Sequence, residues 1–380
     1  MAARHEVDVF TLADDSRDMA YRDDLAAHCH GLTIAPVHAK MARLRALPFL
    51  VTRTPLTVPY FYSAQLQTEV QRALLKRSYD RIFVYCSAMA QYVGGVDDIP
   101  MVMDFVDVDS DKWLQYASFT RFPLSVVYRR EARTLRDYER RISAKAACVI
   151  VSTCREAELL REIAPGAQVQ VVPNGVNTNY FSPLAEPTAA KHPAIIFVGD
   201  MSYFPNQEAV GYFVGKVLPV VRESVPGTRF LIVGRNPGRK TLELGQQEGV
   251  EVTGFVPDVR AYLAQAQVAV APFSIAAGIQ NKILEAMAFG LPVVATSRTK
   301  QGLSPAVADM VDTGDTAEEM AAKVVLLLRD SQTAKLKGLE GRRRVSEDYR
   351  WDWALDQLMQ LLENPSQTEL LTPRSQLPRA

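Results

Sequence analysis

The 380-residue sequence has no surplus of charge of either sign, because 43 basic residues are balanced by 43 acidic ones spread through both halves. Nucleic-acid-binding domains carry a basic excess to meet phosphate, so no nucleic-acid partner is expected. Cysteine is scarce: Cys29, Cys86, Cys148 and Cys154 are the only four, and none forms a C-x-x-C pair. This argues against a disulfide framework and for a reducing, cytoplasmic setting in which cysteines fill space. His28, Cys29 and His30 lack the second ligand pair of a structural metal site, so no metal is expected there. No apolar run is long enough to span a bilayer, and the opening residues do not read as a secretory signal. No G-x-G-x-x-G occurs either, which weakens a nicotinamide-dinucleotide reading.

What remains is ordinary globular material, 48% hydrophobic and 23% charged, long enough for two or three domains. In the first half, short β-rich runs at 7–13, 81–87, 99–106 and 147–153 alternate with helical stretches. That alternation predicts a parallel, doubly wound sheet. The spacing Thr153-Cys-Arg-Glu156 predicts a capped helix to about residue 163, followed by a strand at 168–176 whose Asn174-Gly175 is a turn signal. Pro- and Ala-rich residues 182–193 have no periodicity and read as a linker. Beyond it the strand–helix pattern repeats at 194–350, with helices expected near 206–224, 258–265, 280–289 and 316–329. An amphipathic helix is expected at 351–363 and a disordered tail at 364–380.

The most informative stretch is GIQNKILEAMAFGLPVVAT, 278–296. A glycine leads into a short helix whose first-turn N–H groups, at Ile279, Gln280 and Asn281, are unpaired donors that suit a phosphate. Lys282 adds a full charge there, and Glu285, one turn on, is placed to accept ribose hydroxyls. Gly290 and Pro292 stop the helix, and LPVVAT reads as a buried parallel strand. An ordinary helix–turn–strand crossover would show the same local pattern.

Together with VVPNGVNTNYFSP at 171–183, IIFVGD at 195–200, FLIVGR at 230–235, VEVTGFV at 250–256 and AVAPF at 269–273, this stretch resembles the C-terminal half of glycosyltransferase family 4 over roughly 150–350. PNQEAVGYF at 205–213 and DFVDVDSDKWLQYA at 104–117 extend the likeness to bacterial sugar transferases of exopolysaccharide and PEP-CTERM/exosortase systems. The resemblance implies a GT-B fold, two Rossmann-like domains facing across a cleft. It also implies a retaining, metal-independent transferase that moves a sugar from a nucleotide diphosphate to a saccharide acceptor, commonly a lipid-linked one, and no other cofactor. The final helix is implied to cross back to the first domain.

The resemblance assigns donor binding to Gly278, Ile279, Gln280, Asn281, Lys282 and Glu285, with Phe255 and Val256 as base contacts and Asp107 as the leading acceptor-side polar group, beside Asp104, Asp109 and Asp111. It also exposes departures. Ala277 stands where the family has a sugar-contacting glutamate, leaving its backbone as the contact, and the usual Arg/Lys clamp after the first donor-domain strand is absent. Lys282 and Arg235 are the expected substitutes. The family's first strand and glycine loop have no counterpart, so either the true start lies upstream or the acceptor side lacks a central sheet element. Arg129, Arg133, Arg136 and Arg140 align on one helix face, suited to an anionic membrane surface or simply to solvent. A non-catalytic GT-B assembly module and a nucleotide-sugar epimerase are the competing functions.

Overall fold

The computed structural model describes residues 1, 2, 4–184, 192–275 and 278–365. Most of the expected linker, most of the tail and Ala277 lie outside them. The chain divides into two compact α/β units: residues up to Val172 with the helix from Asp356 onward, and Pro173–Leu355.

Unit 1 has six strands: β1 (Asp8–Ala13), β2 (Gly31–Pro36), β3 (Ile82–Tyr85), β4 (Met101–Asp104), β5 (Cys148–Val151) and β6 (Val169–Val171). All pairings are parallel, but they fall into two sheets, β1-β2 and β3-β4-β5-β6. β2 escaped the sequence reading because its run GLTIAP is bounded by Gly and Pro and is only partly apolar. The helices that matter here are α1 (Ala64–Lys76), α2 (Asp109–Phe119), α3 (Leu124–Lys145) and α4 (Cys154–Ile163). Leu135 and Ile142 of α3 turn inward, and Arg129, Arg133, Arg136 and Arg140 remain exposed. Glu131 and Glu139 of the same helix are buried. Glu131 accepts from Leu56 N (2.7 Å), Thr57 N (2.9 Å) and Thr57 Oγ1 (2.8 Å), which offsets the cost of burying its charge.

Unit 2 builds one six-stranded parallel sheet from β7 (Ala194–Val198), β8 (Arg229–Val233), β9 (Val250–Gly254), β10 (Val268–Ala271), β11 (Val293–Ala295) and β12 (Asp312–Thr313), in the order β12-β11-β10-β7-β8-β9. Its central strands read AIIFV, RFLIV and VAVA, near-continuous apolar runs that a sheet covered on both faces requires. They form one continuous core, whereas the core of unit 1 breaks into separate clusters around β1-β2 and around β3–β6. The relevant helices are α5 (Phe204–Tyr212), α6 (Asn281–Phe289), α7 (Ala317–Arg329) and α8 (Ser331–Asp348). The last helix, α9 (Trp351–Glu363), begins in unit 2 and carries Met359, Leu361 and Leu362 into the core formed by Val102, Cys148 and Ile150 of unit 1.

Helix α6 is held firmly at its carboxyl end. Gly290 takes the left-handed conformation (φ 93°), and Arg342 of α8 donates to Ala288 O, where a cation meets the negative end of the helix. Gly338 lets α8 close on this turn, since a Cβ there would come within 1.9 Å of Gly290 O.

Candidate functional site

In unit 2 the strand order reverses between β7 and β10, and open α/β sheets hold ligands beyond the carboxyl ends of the strands at that switch point. After β10 the chain passes buried Phe273, reaches Gly278 in the left-handed region (φ 57°) and enters α6. Gln280, at the N-cap position with φ −86° and ψ 92°, places no side chain over the first-turn N–H groups of α6. An uncapped helix start at a switch point is a ready anion site. Ile279 packs inward, and exposed Asn281 accepts from Asn174 Nδ2 at 3.4 Å.

Lys282 is the cation of this site. Its Nζ donates to Asn206 Oδ1 of α5 (3.1 Å) and to Gln280 Oε1 (3.4 Å), and lies 4.5 Å from the ring centre of Phe273 and 5.5 Å from that of Phe197. Desolvation pulls its pKa down to about 8, against the opposing charge of Glu285. Gly199, immediately after β7, allows this approach: a Cβ there would sit 2.8 Å from Asn206 Nδ2 and 3.3 Å from Lys282 Cε. Glu285, one turn along α6, has no hydrogen-bond partner among the described residues, and burial raises its pKa with Lys282 opposing. Partly buried carboxylates are normally paired, so an unpaired one beside an anion site suits a ligand with hydroxyl donors.

The other expected residues lie at neighbouring strand ends. Arg235 follows β8 and donates Nε to Asp200 Oδ2 at 2.7 Å. Against the desolvation that would raise it, hydrogen bonds from Ser202, Arg235 and Asn236 hold Asp200 at about 2. Arg235 therefore already has an acid. Phe255, 74% exposed, and half-buried Val256 follow β9, the edge strand two positions from β7. Asn206, Phe197, Phe273 and Gly199 escaped the sequence reading. PNQEAVGYF is recognisable as a segment, but which of its side chains meets Lys282 is set by the sheet topology. Glu208 of the same helix accepts from Ser274 Oγ at 3.2 Å, while its Oε2 is buried without a partner among the described residues.

In unit 1 the acidic loop after β4 is half-buried. Val106 takes φ 64°, unusual for a β-branched residue, and Asp107 N donates back to Phe105 O at 2.7 Å. Asp104 Oδ1 secures the turn by accepting from Val106 N at 2.9 Å. Asp107 faces Glu156, at the start of α4. The Glu156 carboxylate accepts from Val108 N (3.2 Å), Ser152 Oγ (2.9 Å) and Thr153 Oγ1 (3.1 Å), so it serves the acidic loop rather than only capping its own helix. Burial, then the neighbouring Asp107, pushes Glu156 up to about 8, and burial likewise raises Asp107 and takes Asp104 to about 6. Asp109 accepts from Ser87 Oγ (3.1 Å) and pairs with Lys112 (3.7 Å), while Asp111 pairs with Arg155 (3.7 Å). Among the described residues, no three His, Cys, Asp or Glu side chains converge as a metal-binding group. His28 and His30 point to separate acceptors, Asp24 O (2.7 Å) and Asp8 Oδ1 (3.1 Å).

Each half of the chain matches a known domain model: residues 1–175 a glycosyl transferase 4-like domain, and residues 192–330 the model described as glycosyl transferases group 1. The GDP-mannose-dependent alpha-(1-6)-phosphatidylinositol monomannoside mannosyltransferase of Mycobacterium tuberculosis is 26% identical over 227 residues, 53% of this chain and 57% of that protein. Its Mycolicibacterium smegmatis namesake is 27% identical over 248 residues, 59% of this chain and 64% of that protein. The matches thus span less than two thirds of these relatives' length. Sucrose-phosphate synthase from Thermosynechococcus elongatus superposes with a TM-score of 0.67 at 19% identity, covering 94% of this chain and 96% of that one. Anabaena HepE in complex with UDP and glucose gives 0.66 at 15% identity, covering 96% and 92%. The fold is GT-B.

Proposed function

We propose that this chain, two glycosyltransferase domains of the GT-B fold, transfers a sugar from a nucleoside-diphosphate donor to a saccharide acceptor with retention of anomeric configuration. The observation that carries the reading is the switch-point cluster of unit 2: uncapped N–H groups at the start of α6, Lys282 beside them, and Glu285 unpaired one turn below. The N–H groups and Lys282 bind the diphosphate, and Glu285 accepts the ribose hydroxyls.

In the transfer step the bond between the anomeric carbon and the diphosphate oxygen breaks, and its electron pair leaves with the phosphate. The acceptor hydroxyl oxygen bonds to the anomeric carbon on the same face, and its proton passes to the departing phosphate oxygen. Negative charge grows on the diphosphate, where Lys282 and the helix N–H groups are already oriented to stabilise it. No protein base is needed in such a step. Asp107, half-buried beside Glu156, is the polar group that orients the acceptor.

Two finer features belong to the same proposal. The acceptor is lipid-linked and its product an exopolysaccharide, supported by the resemblance of segments 104–117, 205–213 and 278–288. The enzyme docks on the inner face of an anionic membrane through α3, supported by exposed Arg129, Arg133 and Arg136 beside exposed Phe122 and Leu124. Transfer of labelled sugar from a panel of UDP, GDP, ADP and CMP donors to a lipid extract tests the reading. Stabilisation by one nucleotide family with transfer is expected. Conversion of donor alone would identify an epimerase, and neither binding nor turnover would identify an assembly module.

A further inference from the structure

Two large rings meet solvent at the edge of the anion site. Phe204 (48% exposed) opens α5 after β7, and Tyr203 (41% exposed) stands just before it at the N-cap position. Apart from Phe255 after β9, every other phenylalanine of unit 2 packs in or against its core. Single exposed apolar residues are ordinary, but a pair of rings fixed beside an anion site is a wall that suits a ligand. The loop that carries them is tightly held. Met201 is buried under it and donates its N to Arg235 O at 2.8 Å, Asp200 accepts from Ser202 N (2.8 Å) and Ser202 Oγ (2.7 Å), and Tyr203 N donates to Asp200 O at 3.2 Å. Asn206, in the first turn of α5, joins the rings to the cation: its Nδ2 donates to Asp200 O at 2.7 Å while its Oδ1 accepts from Lys282 Nζ at 3.1 Å. Arg235 completes the edge from the end of β8. Asp200 Oδ2 holds its Nε, yet its side chain is 62% exposed, so the rest of the planar fork is offered to another acceptor.

We propose that Tyr203 and Phe204 form a stacking shelf for a hexopyranose ring, with Arg235 donating to its hydroxyls. A pyranose presents C–H bonds on its faces and hydroxyls around its edge. The negative face of an aromatic ring attracts the first, and a guanidinium fork bonds the second. The inference rests on the reading of the start of α6 as a diphosphate site, and it assigns what that site does not supply. Lys282 and the helix N–H groups recognise only charge, whereas a shelf and a fork select the sugar. The ring is either the one carried by the diphosphate or the acceptor sugar that must approach the same carbon atom. Both share this chemistry, and the test separates them.

Tyr203→Ala, Phe204→Ala and Arg235→Gln are compared with the parent and with Tyr203→Phe, which keeps the ring. Calorimetry measures UDP and GDP against their sugar conjugates, and initial rates give the half-saturating amount of the lipid extract used as acceptor. Bare diphosphates should bind all four variants as they bind the parent. For a donor ring, the two alanine variants and Arg235→Gln should weaken the conjugate about 5- to 10-fold, the scale of an aromatic contact, while Tyr203→Phe keeps it. For an acceptor ring, conjugate affinity should hold and the half-saturating amount of extract should rise by the same factor. Conjugate affinity and acceptor saturation both unchanged, or bare diphosphate weakened as much as the conjugate, would overturn the shelf. A third arm needs no nucleotide: saturation-transfer NMR with the methyl glycosides of glucose, mannose and N-acetylglucosamine. If no nucleotide binds the parent, the donor-site reading falls, and the shelf stands only where one of these glycosides receives saturation from the parent and not from the alanine variants.

Discussion

The ammonium of Lys282 donates to Asn206 Oδ1 at 3.1 Å, tying the start of α6 to α5 at the strand-order switch of the second sheet. With Phe273 and Phe197 beneath it, this cation is partly desolvated before any ligand arrives, which lowers its pKa to about 8. An anion binding there meets a charge that needs little reorganisation.

Replacing Lys282 by Met should therefore weaken nucleoside-diphosphate affinity about 10- to 100-fold while leaving the fold intact, the usual scale for a charge-assisted contact. In the unmodified protein, affinity should fall as pH rises through about 8, because the unbound lysine then loses its proton. Isothermal titration at pH 7 and pH 9 checks both, and the Met variant should lose this step. An equal step in K282M would remove Lys282 from the site.

Glu285 is expected to show a stability–function trade-off. Burial raises its folded-state pKa against the opposing charge of Lys282, and it has no hydrogen-bond partner among the described residues, so the folded protein holds its proton more tightly than the unfolded chain does. Stability from this group is thus lost as pH rises from the ordinary carboxylate value through the folded one. Glu285→Gln should raise the melting temperature at pH 7 and reduce nucleotide affinity, measured by thermal unfolding and calorimetry. A variant that loses stability and keeps its affinity would make Glu285 an ordinary helix residue.

The helix and strand of 278–296 were legible because their signals are local. A glycine, a short helix with one cation and one carboxylate, and a stop at Gly290 all lie within nineteen residues of sequence. The strands β7 to β11 were legible for the same reason, as runs of adjacent apolar residues. Asn206, Phe197 and Gly199 were not, because they meet Lys282 only after the sheet orders its strands, and Glu156 read as a helix cap because its contact with the 104–108 turn is long-range. Arg235 reads as a phosphate ligand by position; that Asp200, thirty-five residues away, accepts its Nε was not legible, because the contact forms only between strand ends.

The buried acidic pair of unit 1 should dominate its pH response. Glu156, pushed to about 8 by burial and by Asp107, favours the protonated folded state, so its contribution falls as pH rises from about 4.5 through about 8. Asp104, near 6, acts in the same direction, as does Asp107, which burial raises against the opposing charge of Lys112. Glu156→Gln keeps acceptors for Val108 N and the two hydroxyls but removes the charge. Urea midpoints at pH 5 and pH 8 should differ less in this variant than in the parent; an unchanged difference would place the titration elsewhere.

Gly234 allows the approach of β7 and β8 ends on which the proposed donor site is built. It holds φ 149°, and a Cβ there would lie 1.8 Å from Gly199 O, backbone that cannot move aside without shifting Asn206 and Lys282. Gly234→Ala should cost about 3 kcal/mol or more, from strain at a special φ and a backbone clash. Gly238→Ala, where nothing lies within 4 Å and the backbone is extended, is the control and should cost only about 0.5–1 kcal/mol, because Gly238 caps the helix that follows. Chemical denaturation separates them, and equal stabilities would show that the loop relaxes freely.

The arginines of α3 give the membrane proposal a quantitative form. Arg129, Arg133 and Arg136 are exposed on one face, whereas Arg140 is partly committed through its Nε to Ile163 O at 2.9 Å. Near an anionic bilayer each free arginine contributes about 1 kcal/mol, so converting all three to Gln should lower partitioning about 100-fold. Adjacent Phe122, 82% exposed, supplies apolar area that salt does not screen. Phe122→Ser should therefore weaken binding at high ionic strength as well, where the arginine contribution has faded. Co-sedimentation with vesicles containing phosphatidylglycerol, compared with phosphatidylcholine alone, resolves the two contributions. Equal partitioning of the parent onto both lipids would leave α3 a solvated charged face.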